Sequence, residues 1–216
     1  VESFIARETT CGVYCHAGRE VAVASTKSFT SQVLVLLMIS LWFGNQKAPP
    51  EVQEFVRMTP DILRMLQEDV DYAELIPNIN AESMFLLGPR GKDLAIALEG
   101  ALKIKEVAYI HCEGTWTSSL KHGPLALVTG NPVLFLLSDQ NDYVATLNTI
   151  EEVKCRNGRP VLIGNHKNAD IPIITNNPFG FLWNNMALQI IAYKLAIHRG
   201  NDPDMPRNLA KVVTVA

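Results

Sequence analysis

Apolar positions along the chain change rhythm near residue 79. Before it they read as helices. "STKSFTSQVLVLLMISLWFG" predicts a helix capped by Ser25 or Thr26 and ending at Gly44, and its run "VLVLLMISLWF" (33–43) predicts a buried one. "APPEVQEFVRMTPDILRMLQED" predicts an amphipathic helix entered at Pro49 and Pro50 and interrupted near Pro60. Only "CGVYCH" (11–16) reads as a short strand. The first 75 residues thus supply helices with hardly any sheet for them to cover. From residue 79, strands "SMFLLG", "PVLFLLS", "PVLIG" and "IPIIT" alternate with helices over 91–111, "YVATLNTIEEVKCRNG" and "FLWNNMALQIIAYKLAIHRG". Short continuous apolar strands between helices predict a doubly wound α/β domain, three layers deep, with a parallel sheet covered on both faces. The last 15 residues carry no periodic element and read as a surface tail, and no internal repeat is visible.

One helix breaks the pattern. In "LEGALKIKEVAYIH" (98–111), Glu99, Lys103 and Glu106 stand at i, i+4 and i+7 on one narrow face, and apolar residues fill most of the rest. A helix apolar nearly all round is buried, and buried charges are costly unless paired or put to use. An i,i+4 pair of Glu99 with Lys103 on a wet edge fits this spacing, as does a working site. Lys105 lies off the stripe and reads as a surface residue.

Composition narrows the function classes. A chain of 216 residues, 48% hydrophobic and 19% charged, is of ordinary globular make-up, and a net charge of −3 with no basic run excludes a phosphate-backbone footprint, so no nucleic-acid partner is expected. The longest apolar run is about half the roughly 20 residues of a membrane span, so no membrane association is expected. No secretion is expected from the opening residues, and four cysteines, at 11, 15, 112 and 155, lack CxxC spacing, which suits a reducing, cytoplasmic setting. Cys11, Cys15 and His16 lack the further ligands of a tetrahedral metal site, so no metal is expected.

Three more stretches carry candidate chemistry. "LLGPRGKDLA" (86–95) has the strand, glycine turn and helix start of an anion site without the GxGxxG or Walker spacing, and a tight turn alone explains its glycines. "SSLKHGPLAL" (118–127) places His122 before a Gly-Pro break, where a loop holds an imidazole out of regular structure. "PRNLAKVVTV" sets Lys211 among apolar residues, where desolvation favours the neutral amine that attacks carbonyls; a surface lysine fits the same stretch.

Taken in order, "ASTKSFTSQ" (24–32), "ALEGALKIKEVAYIH" (97–111), "LKHGPLAL" (120–127) and "PRNLAKVVTV" (206–215) resemble the carboxyl-terminal isomerase region of the glutamine:fructose-6-phosphate aminotransferases. That family joins an N-terminal glutaminase domain to two sugar isomerase (SIS) domains and makes glucosamine 6-phosphate, the first step toward UDP-N-acetylglucosamine. The resemblance implies an incomplete remainder of a first SIS domain over 1–75, a second SIS domain over 76–201 and an active-site tail over 202–216. It implies that Lys211 forms a Schiff base with the open ketose and that Glu106 moves a proton between C1 and C2. Lys103 would stand near the reacting oxygens, with His122 reaching in from the other subunit of a homodimer to assist ring opening. Val23, Ser25, Glu99 and Ala210 match positions lining the sugar site. No metal or organic cofactor is implied, because an imine and a proton shuttle suffice.

The chain departs from that family in several places. It holds no Ser/Thr-rich phosphate loop of the SQSGxT type, so the glutaminase domain and the first part of the first SIS domain are expected to lie outside this sequence. Ser118 and Ser119 replace the Gly-Glu that precedes Leu-Lys-His-Gly, Pro89 interrupts a Gly-Arg-Gly turn, and the stretch 164–181 reads as shortened. Three functions fit: the isomerase portion of an aminotransferase, a catalytically silent SIS-fold remnant or interaction module, and a stand-alone sugar-phosphate isomerase or binding protein.

Overall fold

The structure, a computed structural model, describes residues 4–210. Its centre is one parallel sheet of β1 (Ser83–Gly88), β2 (His111–Trp116), β3 (Pro132–Leu137), β4 (Arg159–Gly164) and β5 (Ile171–Pro172), in the order β2-β1-β3-β4-β5. β1 and β3 are buried almost throughout because both of their faces are covered. Met84 and Leu86 point to one face with Leu134 and Leu136, and Phe85 and Leu87 to the other with Val133 and Phe135. Helices α5 (Gly91–Lys103) and α7 (Phe181–His198) cover the first face, and α6 (Tyr143–Lys154) covers the second. Each fully buried Leu, Ile or Phe contributes about 1.5–3 kcal/mol, so these two layers dominate the stability.

Chain direction reverses about β1: β2 lies on one side and β3 on the other, which creates a topological switch point at their carboxyl ends. The crevice there, about 390 Å³, is lined by Lys92, Ser138, Gln140, Asn165, Thr175 and Asn177 among others. Arg90 reaches across from the β1–α5 turn and pairs with Asp142 at 2.5 Å. A Cβ on Gly88 would stand 2.3 Å from the Asp93 backbone, so the close approach of turn to helix by itself demands that glycine.

Ahead of the sheet come α1 (Phe4–Glu8), α2 (Lys27–Phe43), α3 (Pro50–Glu68) and α4 (Tyr72–Ile79). The strand expected over 11–16 does not form; most of these residues are exposed, and among the described residues no strand lies beside them to complete a ladder. α3 runs unbroken through Pro60. Its inner face is pinned where Phe55 stacks on Trp183 at 5.1 Å and Trp183 Nε1 donates to Thr59 Oγ1 at 3.0 Å. The carbonyl that Pro60 leaves without its N–H belongs to Val56, whose side chain is exposed. α3 and α4 share the core of the first sheet face through Phe55, Leu66, Ile76 and Ile79.

α2 corrects a second expectation. Instead of a buried helix, it has no fully buried residue: Phe29, Val33 and Leu34 pack inward, while Leu36, Trp42 and Phe43 are 65%, 72% and 78% exposed. The neighbours supply an inner surface for only one side of a helix that is apolar on several. None of the described helices is long and apolar enough to cross a membrane.

Candidate functional site

The helix that carries the charged stripe keeps α-geometry only to Lys103. Residues Ile104–Ala108 form a π turn, and Tyr109 follows in the left-handed region at φ 55°, so the helix expected to reach 111 stops three residues short. His111 instead opens β2. π turns occur frequently at functional sites, because the extra residue re-aims side chains. Here Lys103 Nζ lies 2.6 Å from Glu106 Oε2 and 3.5 Å from Glu99 Oε1, one ammonium shared by two carboxylates. The Lys103 side chain is 5% exposed, Glu99 12% and Glu106 22%. Burial pushes the Glu99 carboxyl above the usual carboxylate range, and the Lys103 charge opposes that shift. Lys105 is exposed, as its position off the stripe implies.

Two further segments come to this face of the sheet. The loop before α2 carries Val23 and Ser25, and Ala24 between them is buried in the first-face core. Neither Ser25 nor Thr26 caps α2 with its own side chain. Glu20 does the work from upstream: its carboxylate accepts the Thr26 N–H at 2.8 Å, the Ser28 hydroxyl at 2.5 Å and the Ser25 hydroxyl at 3.2 Å. A carboxylate opposite the positive end of a 17-residue helix is favourably placed. The third segment is the tail, whose Asp204 carbonyl accepts the Val23 N–H at 3.3 Å and whose Ala210 is exposed. Lys211 lies outside the described residues.

His122 sits elsewhere. It is exposed at the end of a 3₁₀ turn whose Leu120 is buried in the second-face core, and neighbouring Lys121 pairs with Glu152 of α6 at 2.7 Å. Within one chain, then, Glu99, Lys103 and Glu106 converge on the α5 side, with Val23 and Ser25 in a loop that packs on the same layer, and His122 belongs to the opposite layer. Glu20, Tyr109 and Arg207 are the interacting residues that pattern reading missed. For Glu20 the available signal was a lone acid shortly before a Ser/Thr-rich helix start.

An open parallel sheet wound in both directions, with a buried lysine shared by two carboxylates at the end of one covering helix, defines a doubly wound α/β protein. Residues 79–199 match the SIS domain family, and the chain belongs to it. It is 37% identical over its whole length to a glutamine–fructose-6-phosphate aminotransferase (isomerizing) of Chlorobaculum tepidum and 38% to one from Rattus norvegicus. It spans only 38% and 34% of those two proteins, about a third of their length. Among solved structures it superposes with a TM-score of 0.76 on the C-terminal domain of glucosamine-fructose-6-phosphate aminotransferase from Francisella tularensis, at 30% identity over 94% of this chain and 62% of that one. Glucosamine-6-phosphate deaminase from Thermotoga maritima gives a TM-score of 0.82 at 25% identity, over 99% of this chain and 64% of that one.

Proposed function

We propose that this chain is the isomerase portion of an aminotransferase that converts fructose 6-phosphate and glutamine to glucosamine 6-phosphate and glutamate. The observation that carries the reading is the buried Lys103 shared by Glu99 and Glu106 in a chain that matches such aminotransferases along its full length. Without substrate, Lys103 holds the Glu106 carboxylate. A sugar oxygen entering beside Lys103 takes over that ammonium, releasing Glu106 to remove a proton from C1 and return it to C2 while Lys103 stabilises the charge on oxygen. Lys211 would form the imine with the open ketose, and His122 of a second subunit would assist ring opening. Val23, Ser25, Glu99 and Ala210 would line the sugar site.

The same reading assigns residues 1–75 to the remainder of a first SIS domain, 76–201 to the second and 202–216 to the tail. The exposed face of α2 supports this assignment, since the sheet of a first domain is the surface that such a helix covers. That face also supports a second reading, in which the chain serves as an interaction module that pairs with a longer relative.

Joined to the upstream portion of an aminotransferase relative, the chain is expected to form glucosamine 6-phosphate, and Glu106→Gln is expected to lower kcat about 10²–10⁴-fold, the range of general-base contributions. A folded assembly that binds fructose 6-phosphate but forms no product would overturn the catalytic reading and leave the interaction module.

A further inference from the structure

Tyr109 is a bulky aromatic residue held at φ 55°, a conformation that such residues rarely adopt and that persists only where the surroundings enforce it. Those surroundings are identifiable. From the end of α7, Arg199 Nη1 donates to the Ala108 carbonyl at 3.2 Å and, at 3.5 Å, to that of Tyr109, and Asn201 Nδ2 reaches Ala108 at 3.5 Å. The carbonyls released where the π turn ends are therefore answered by residues that lead into the tail. Tyr109 then grips the tail directly. Its phenol oxygen accepts the Arg207 backbone N–H at 2.6 Å, and the Arg207 guanidinium lies 4.3 Å over its ring. Around these contacts the described tail residues form no helix or strand, and Arg207 is exposed.

We propose that Tyr109 is a positioning residue that locks the carboxyl-terminal tail to the π turn carrying Glu106. This rests on the function proposed above. Glu106 lies three residues before Tyr109, and Lys211 lies four residues after Arg207, so both proposed catalytic groups are short covalent steps from the same contact. Four residues of extended chain span at most about 14 Å, so Arg207 is a close covalent neighbour of Lys211. The second tie, from Asp204 to Val23, places the tail against the loop of Ser25. An unanchored tail would have to find this arrangement by itself for each turnover, and small misplacements of reacting groups are costly in rate.

Two variants separate the anchor from the fold. Tyr109→Phe keeps the ring and removes only the hydrogen bond; Tyr109→Gly removes the whole side chain while favouring the left-handed backbone already present. In the chain as it stands, hydrogen exchange of the Arg207 amide is expected to speed up about tenfold in both variants, with residues 104–108 equally protected and the melting temperature unchanged within a few degrees for Tyr109→Phe. In the assembly with the upstream portion, Tyr109→Phe is expected to lower kcat about tenfold at unchanged KM for fructose 6-phosphate. Unchanged exchange at Arg207 overturns the anchor. Faster exchange with unchanged kcat overturns the positioning role. A wild-type assembly that is inactive while exchange responds as expected refutes the function proposed above and leaves the anchor standing.

Discussion

Glu99 faces Lys103 alongside Glu106, but the two carboxyls have different surroundings. Glu99 is the more enclosed, and burial holds its pKa above the ordinary carboxylate value of about 4.3. The folded protein therefore binds a proton there more tightly than the unfolded chain does, so this group's contribution is complete below the unfolded value and is lost as pH rises through the folded one. Denaturant unfolding across pH 4 to 8 is expected to show the wild type losing stability relative to Glu99→Gln as pH increases. Parallel curves would place the buried proton elsewhere. The charged stripe itself was legible from spacing, because a helical period needs only residue types. The 2.6 Å contact between Lys103 and Glu106 depends on a π turn that no local propensity announces. Tyr109 and Arg207 stand 98 positions apart, and nothing in either neighbourhood points to the other.

Close packing between elements is set by glycines that accept no side chain. On β2, a Cβ at Gly114 would stand 2.7 Å from the Ala97 carbonyl oxygen and 2.9 Å from the Leu98 Cα, backbone atoms of α5 that cannot turn aside. At Gly100 the obstruction is the ends of two leucine side chains, Leu188 at 2.4 Å and Leu86 at 2.8 Å, which have rotamers to spare. Gly100→Ala is expected to cost about 1–3 kcal/mol, the usual range for overpacking, and Gly114→Ala more, as read by chemical denaturation. The opposite ranking would mean that α5 shifts more easily on β2 than on α7. At this scale the long apolar strands and helices were legible, because burial on two faces leaves a continuous apolar run. β2 was not, because an edge strand reading His-Cys-Glu-Gly-Thr-Trp shows no alternation and follows a helical pattern without a break. α3 was misread at Pro60 because tertiary contacts through Trp183 outweigh one missing hydrogen bond.

For the molecule as a whole, the telling asymmetry lies in α2. Its apolar residues were legible as core material, but whether a core surrounds them is a property of everything else in the chain. With Leu36, Trp42 and Phe43 facing outward, the chain by itself is expected to associate as concentration rises. Leu36→Glu combined with Trp42→Lys is expected to suppress that association in light scattering while leaving the far-ultraviolet dichroism unchanged. Equal scattering by the two proteins would clear α2 of responsibility.

The separation of His122 and Glu106 onto opposite layers has a genetic counterpart. If each working centre draws one group from each of two chains, an allele defective at His122 and another defective at Glu106 fail separately but complement when expressed together, because a mixed pair holds one intact centre and one doubly damaged one. Two alleles defective at Glu106 and Lys103, which share a layer and a turn, are expected never to rescue each other.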